Sequence, residues 1–348
     1  MAMNFSPGEI YFMQEYDPQT ARPTKYVKIG LVRNGRTSAE RIKEHQTGNP
    51  RALKETKLFQ TPAVHFVERM LHQVYAENRI TGGEWFIFTE TELRECLESA
   101  KDLVADVKKQ ESIFSAAEAF KSKRSKKAVI VATKSALALH KEYFKEDLIV
   151  RELKALVAKY ERQLDEKSAE GGDVEDLRSQ KVVQTSRFSE TEFRSAFPGI
   201  YKKYMEATYQ IGGSFKMIPN DRYDLSLGQV APKLETFVSG FHNILDQLKK
   251  NPKVLEVAKA KYSYIKGQVA LAEWNKAKAE TQLRLLCANN AGIAGICTWN
   301  RTAKEKVVFS RAALKAERPE LYAKFTKTSA TTRRVTQAGR TSAAKKKR

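Results

Sequence analysis

Residues 25–45, KYVKIGLVRNGRTSAERIKEH, begin as a strand and end as a helix. Val27, Ile29 and Leu31 alternate with Tyr26, Lys28 and Gly30, the period-two pattern of a strand with one apolar face. After NGRTS the spacing changes to that of a helix. Ser38 stands where an N-cap is expected, and Gly48, with Pro50 beyond it, marks the end. Arg41 and His45 are four residues apart and so share a helix face. Cations on a strand and on the next helix mean either a solvated surface or a site for something anionic.

Working outward, residues 8–16, GEIYFMQEY, alternate in the same way: Ile10 and Phe12 on one face, Tyr11 and Met13 on the other. Pro18 and Pro23 make the connection a loop. A hairpin of the two strands presents Tyr11, Tyr26 and Lys28 on one surface. ETKLFQ predicts a third strand, and Pro62 a second helix with proline at its first position. On that helix Val64, Val67, Leu71 and Val74 form an apolar stripe, and His65, Glu68 and His72 line up beside it. TGGEWFIF predicts a turn and a short strand, and residues 90–110 a closing helix. The order β-β-α-β-α-β-α makes a compact α/β unit of about a hundred residues.

The rest of the chain is different. Residues 100–167 read as long, coiled helices able to support a homo-oligomer, and SAEGGDVED as a linker. Residues 234–290 are helical again, interrupted at Asn251-Pro252. GICTWNRTAKEKVVFS reads as two short strands around a polar turn, and 311–327 as a last helix. FRSAFPGIYKKYM at 193–205 echoes LKAERPELYAKFT at 314–326. The expected class is α+β: a compact α/β unit over 1–110, a helical linker over 111–180, a basic helical domain with a β-hairpin–helix unit over 181–330, and a disordered basic tail over 331–348.

Charge separates these parts. The net charge is +21, yet residues 1–100 hold thirteen Lys/Arg and thirteen Asp/Glu, so the excess lies beyond them. The tail concentrates it in Arg333, Arg334, Arg340, Lys345, Lys346, Lys347 and Arg348. A basic surplus of this size points to a polyanion partner through phosphate neutralisation, and these seven residues are the expected nucleic-acid contacts. Three scattered cysteines form neither a disulfide framework nor a zinc ribbon. With no membrane-length apolar run and no signal segment, the expected setting is the cytoplasm.

The first hundred residues gather Tyr11, Tyr26, Lys28, Arg41, His45 and Glu68. This set suits phosphodiester cleavage, which needs a base for water, a cation against the charge on phosphorus and a metal on the leaving oxygen. Each piece also has a plainer explanation: cross-strand tyrosine packing, a solvated helix face, or a Glu68 ion pair. His65, Glu68 and His72 follow neither common zinc-hydrolase order.

Gly8-Glu9-Ile10-Tyr11, Lys28-Ile29-Gly30, the arginine and histidine of Arg41-Ile42-Lys43-Glu44-His45, Val67-Glu68-Arg69 and Gly83-Glu84-Trp85-Phe86 occur in this order. Over residues 8–100 the chain thereby resembles the GIY-YIG nuclease superfamily, in the phage and bacterial branch whose second motif reads KIG. The resemblance implies a Mg²⁺- or Mn²⁺-dependent DNA endonuclease of the cytoplasm of a bacterium or phage-infected host. It implies one metal on Glu68, Tyr11 positioning or deprotonating water, Arg41 against the pentacoordinate phosphate and His45 orienting water or relaying a proton. Lys28 stands where many relatives have a second tyrosine, with Tyr26 two residues away; Asn78 and Glu84 are the nearest counterparts of a further family asparagine. The stretch AGICTWN through TTRRV is similar to the tail of YqaJ-type phage recombination exonucleases and carries none of that family's catalytic carboxylates. There Trp299 and Tyr322 either stack on bases or belong to a core. The alternative to an endonuclease is a degenerate GIY-YIG-fold protein that binds nucleic acid or serves assembly.

Overall fold

A computed structural model of the chain describes residues 5–33, 35–80, 83–169, 178–219, 223–248, 251 and 254–336. Its first unit runs β1 (Gly8–Tyr16), β2 (Pro23–Arg33), α1 (Ser38–Gln46), β3 (Ala52–Thr61), α2 (Val64–Val74), β4 (Trp85–Ile87) and α3 (Glu90–Lys121), the order expected from the sequence. The four strands form an antiparallel sheet in the order β3-β1-β2-β4. Ile10, Phe12, Val27 and Ile29 meet α2 and α3 on one face, while Tyr11, Met13, Val32 and Leu53 pack with Ile42 of α1 on the other. Both faces of β1 are therefore covered, which is why four consecutive side chains, Ile10 to Met13, are buried.

Local details correct the sequence reading. The N-cap of α1 is Thr37, not Ser38: the Thr37 side chain accepts from the Glu40 N–H, and Glu40 reaches back to the cap. Ser38 is instead buried; its hydroxyl donates to Glu55 and its N–H to Glu9. Pro62 lies outside α2, whose N-cap is Ala63. The closing helix runs on to Lys121.

The remaining elements are β5 (Val129–Ile130), α4 (Lys134–Ala169), β6 (Arg178–Phe188), α5 (Glu190–Ala196), α6 (Pro198–Lys203), β7 (Met205–Gly212), β8 (Lys216–Met217), α7 (Leu227–Val230), α8 (Pro232–Leu248), α9 (Leu255–Cys287), β9 (Gly292–Ile293), β10 (Cys297–Thr298), β11 (Thr302–Phe309), α10 (Arg311–Glu317), α11 (Pro319–Lys324) and β12 (Thr326–Thr336). Helices α4 and α9 run antiparallel: Asp147 meets Lys276, Lys154 meets Glu273, and Glu161 accepts from Tyr262. With α8 they bury Leu153, Leu156, Leu164, Phe241, Leu245 and Ile265. Leu153, Leu156, Tyr160 and Leu164 of α4 are thus covered within the chain.

Helix α9 also completes the first unit. Trp274 lies 4.8 Å from Phe66 and stacks on Phe114 at 5.5 Å, and its indole N–H donates to Asp106. A boundary at residue 110 therefore cuts a continuous core. This also explains why Phe66 and Met70 are buried although they lie off the expected stripe of α2. The sheet covers one side of that helix and α9 another.

The C-terminal strands do not form the expected hairpin. β10 pairs with β8 and β9, whereas β11 pairs with β7. The last helix is broken in two by Pro319, and residues 331–336, expected in the tail, are the end of β12, which pairs with β6 along its whole length. The internal echo is a structural repeat, β6-α5-α6-β7 and β11-α10-α11-β12, with the strands of one copy paired to those of the other. Ser189 N–H donates to Phe325 O and Ser310 N–H to Tyr204 O, each at 2.8 Å. Phe188 stacks on Tyr322 at 4.9 Å and Phe309 on Tyr201 at 4.7 Å. Two approximately equivalent β-ribbons leave this shared aromatic core.

Among the described residues, no helix is long and apolar enough to cross a membrane.

Candidate active site

The site is assembled from β1, β2, α1, α2 and the turn before β4. In the β1–β2 register Tyr11 stands opposite Gly30 and Met13 opposite Lys28. The Tyr11 ring lies directly over Gly30: a Cβ there would stand 2.4 Å from Tyr11 Oη and 2.5 Å from its Cζ. The glycine of the KIG stretch thus makes room for the tyrosine of the GEIY stretch. Because Tyr11 is only 1% exposed, it has little freedom to retreat. Gly30→Ala is expected to cost about 1–3 kcal/mol through overpacking and to displace the hydroxyl. A melting temperature and cleavage rate equal to wild type would contradict that placement.

The Tyr11 hydroxyl lies 3.4 Å from His45 Nε2 and also hydrogen-bonds the Arg41 side chain. Arg41 and His45 reach it from one face of α1, and Arg41 is oriented from the other side by Glu44 at 2.6 Å. Burial raises the Tyr11 pKa, and the Arg41 charge opposes that shift. Burial, reinforced by the charges of Lys28 and Arg41, lowers the His45 pKa. The imidazole is therefore neutral at pH 7 and able to accept a proton.

Lys28 is buried and pairs with Glu84 at 2.9 Å. β4 pairs with β2 only over Tyr26–Lys28. Just beyond, α2 approaches: His72 Nε2 lies 3.0 Å from Ile29 O, and burial lowers its pKa to about 4, so the neutral ring donates to that carbonyl. One turn earlier on α2 stands Glu68. Its carboxyl is pushed up to about 7, first by burial and then by the negative charge of Glu84, with Arg79 and Lys28 opposing. Burial disfavours ionised Glu84 as well, but the hydrogen bond and charge of Lys28 outweigh it and lower its pKa.

Residues 8–101 match the T5orf172 domain. That is a GIY-YIG-like, nuclease-associated domain family. No curated protein and no solved structure matches the chain. The T5orf172 match spans the whole cluster and ends within α3, and the YqaJ-type similarity finds no support in it.

Within the T5orf172 region the structure brings together Tyr11, Lys28, Arg41, His45 and Glu68, and adds Glu84 and Arg79. Arg79 was missed because arginine in a turn carries no motif; its Nε donates to Gly83 O, and its charge favours ionised Glu68. Tyr26 is not brought in. It lies four residues from Gly30, roughly 13 Å along the strand, opposite Ile87. His65 is exposed at the start of α2. Asn78 is spent on the turn, donating to Ile87 O and Glu92. Elsewhere, Trp299 is 1% exposed and packed under Arg301, a core residue with no face for a base, and Tyr322 stacks on Phe188. Arg333 and Arg334 lie in β12; Arg340, Lys345, Lys346, Lys347 and Arg348 lie outside the described residues.

The Glu68 shift has a consequence for stability. Between its ordinary carboxylate range and about pH 7, the folded chain holds a proton on Glu68 that the unfolded chain has released. This contribution to stability is complete below the ordinary range and is lost as pH rises through 7. Glu68→Gln removes the loss, so the variant is expected to melt above wild type at pH 8, with the gap closing at pH 4. His72, whose depressed pKa gives the opposite slope, is common to both proteins and cancels. A temperature gap that does not change with pH would contradict a strained Glu68.

Proposed function

We propose that this cluster is the catalytic centre of a divalent-metal-dependent endonuclease that hydrolyses DNA. The observation that carries the reading is the convergence, from separate elements, of a cation, a neutral base, a buried tyrosine hydroxyl and a carboxylate near a second one. A purely structural cluster has no need of this composition.

The donor set suits a hard cation. Among the described residues no hydrogen bond or ion pair holds the Glu68 carboxylate, and Glu84 adds to its negative field. No three His, Cys, Asp or Glu groups there stand close enough to cage an ion alone. Mg²⁺ commonly takes one or two carboxylates and completes its shell with water and substrate phosphate. Glu68 would hold it, with Glu84 on the same side. When bound, such an ion polarises the phosphate and stabilises the leaving oxygen.

The chain's own residues supply the rest. Arg41 presents planar donors to the charge that grows on the phosphoryl oxygens. His45, neutral and within reach of Tyr11, accepts a proton from the attacking water directly or through the tyrosine hydroxyl. Lys28 keeps Glu84 ionised and adds a second positive charge to the pocket.

The test is supercoiled plasmid incubated with the full chain, with and without Mg²⁺ or Mn²⁺. Nicked and linear products that require the metal are expected. Plasmid that stays intact with both ions, but is still bound, would move the assignment to a degenerate nucleic-acid-binding protein.

A further inference from the structure

The two ribbons of the C-terminal repeat share a scaffold but differ in charge. The β7–β11 ribbon carries Lys304 and Lys306 against Glu206 and Glu305, and runs into the body where Gly213 packs against the Asn300 backbone. The β6–β12 ribbon carries Arg178, Lys181, Arg187, Lys327, Arg333 and Arg334, with no acidic residue in either strand. Since the neutral ribbon forms equally well, the repeat itself does not require these cations.

Their arrangement works against the ribbon's own stability. The ladder pairs Arg187 with Lys327 and Lys181 with Arg333. Like charges directly opposite one another destabilise an antiparallel pair, and a lone two-stranded ribbon is marginal to begin with. Of Arg187 and Lys327, the lysine has a carboxylate partner, Glu192. Next to the aromatic root Gln184, Ser186, Arg187, Thr328, Ser329 and Ala330 are exposed, so the described part of the ribbon presents a mostly polar surface. Eleven paired positions give a length of about 37 Å, one turn of B-form duplex, and a two-stranded ribbon fits the major groove.

We propose that the β6–β12 ribbon lies in a groove of duplex DNA and is the chain's main grip on it, with its cations neutralising flanking phosphates. This rests on the reading that the chain acts on DNA, but not on cleavage.

The test is binding of the full chain to a labelled thirty-base-pair duplex in EDTA, read by anisotropy as salt is varied. Without metal no cleavage intervenes, so failure of the nuclease assignment and failure of this one are distinguishable. Arg187→Gln with Lys327→Gln is expected to lower the salt slope by about two units, and adding Lys181→Gln and Arg333→Gln by three to four in all. Lys304→Gln with Lys306→Gln should change it by less than one. Duplex should bind at least tenfold tighter than the single strand. An unchanged slope in the fourfold variant, melting as wild type, would overturn the proposal. So would an equal loss in the β7–β11 variant, or equal affinity for single strand and duplex.

Discussion

Replacing Arg41 by alanine is expected to slow single-turnover DNA cleavage by about 100- to 1,000-fold, the usual effect of removing one preorganised donor to a developing charge. Arg41 touches Tyr11 on one side and Glu44 on the other, and its side chain is about a third exposed. The guanidinium is therefore held in place yet can face a phosphate. Burial of the residue is too slight for the change to unfold α1, whose cap rests on Thr37 and Glu40. Duplex affinity should change little, because the excess positive charge lies beyond residue 100. A loss of affinity with the saturating rate preserved would make Arg41 a phosphate contact of the ground state instead.

Trp274→Ala is expected to destabilise the chain by about 3–5 kcal/mol, as for other buried large-to-small changes. Trp274 is 5% exposed and fills the space between Phe66 of α2 and Phe114 of α3, from an element roughly 160 to 210 residues further along the chain. Asp106 would keep Lys278 at 2.8 Å, so the cost is chiefly the cavity. Since α2 carries Glu68 and His72, cleavage should fail at a lower temperature in the variant. Urea unfolding measures the effect. A change below about 1 kcal/mol would show that α9 does not hold α2 in place.

The first unit was legible because its signals are local. Alternation in GEIYFMQEY and KYVKIGLV sets the strand faces, and both strands keep those faces in the structure. Arg41 and His45 could be grouped from spacing alone, and the resemblance joined Tyr11 to them. What stayed hidden depends on distant chain. Nothing near Trp274 marks it as part of the N-terminal core, and the seam between α2 and α9 buries residues off the local stripe. Strand partners were also unreadable: β11 is nearer in sequence to β10 than to β7, but the repeat pairs it with β7 across the shared aromatic core. Two copies gave an echo in sequence without saying that their strands interlock. The helix-cap error at Ser38 has a simple cause: Thr37 and Ser38 are both good caps, and only the burial of Ser38 against its partner Glu55 tells them apart.

The most direct measurement is nicking of supercoiled plasmid by wild type and by Glu68→Gln, side by side, across a Mg²⁺ titration at pH 8. Metal-dependent nicking by wild type, and a rate at least a hundredfold lower in a variant that is folded and more heat-stable, is the predicted result. A Glu68→Gln protein that nicks as fast as wild type at every Mg²⁺ concentration would contradict the account.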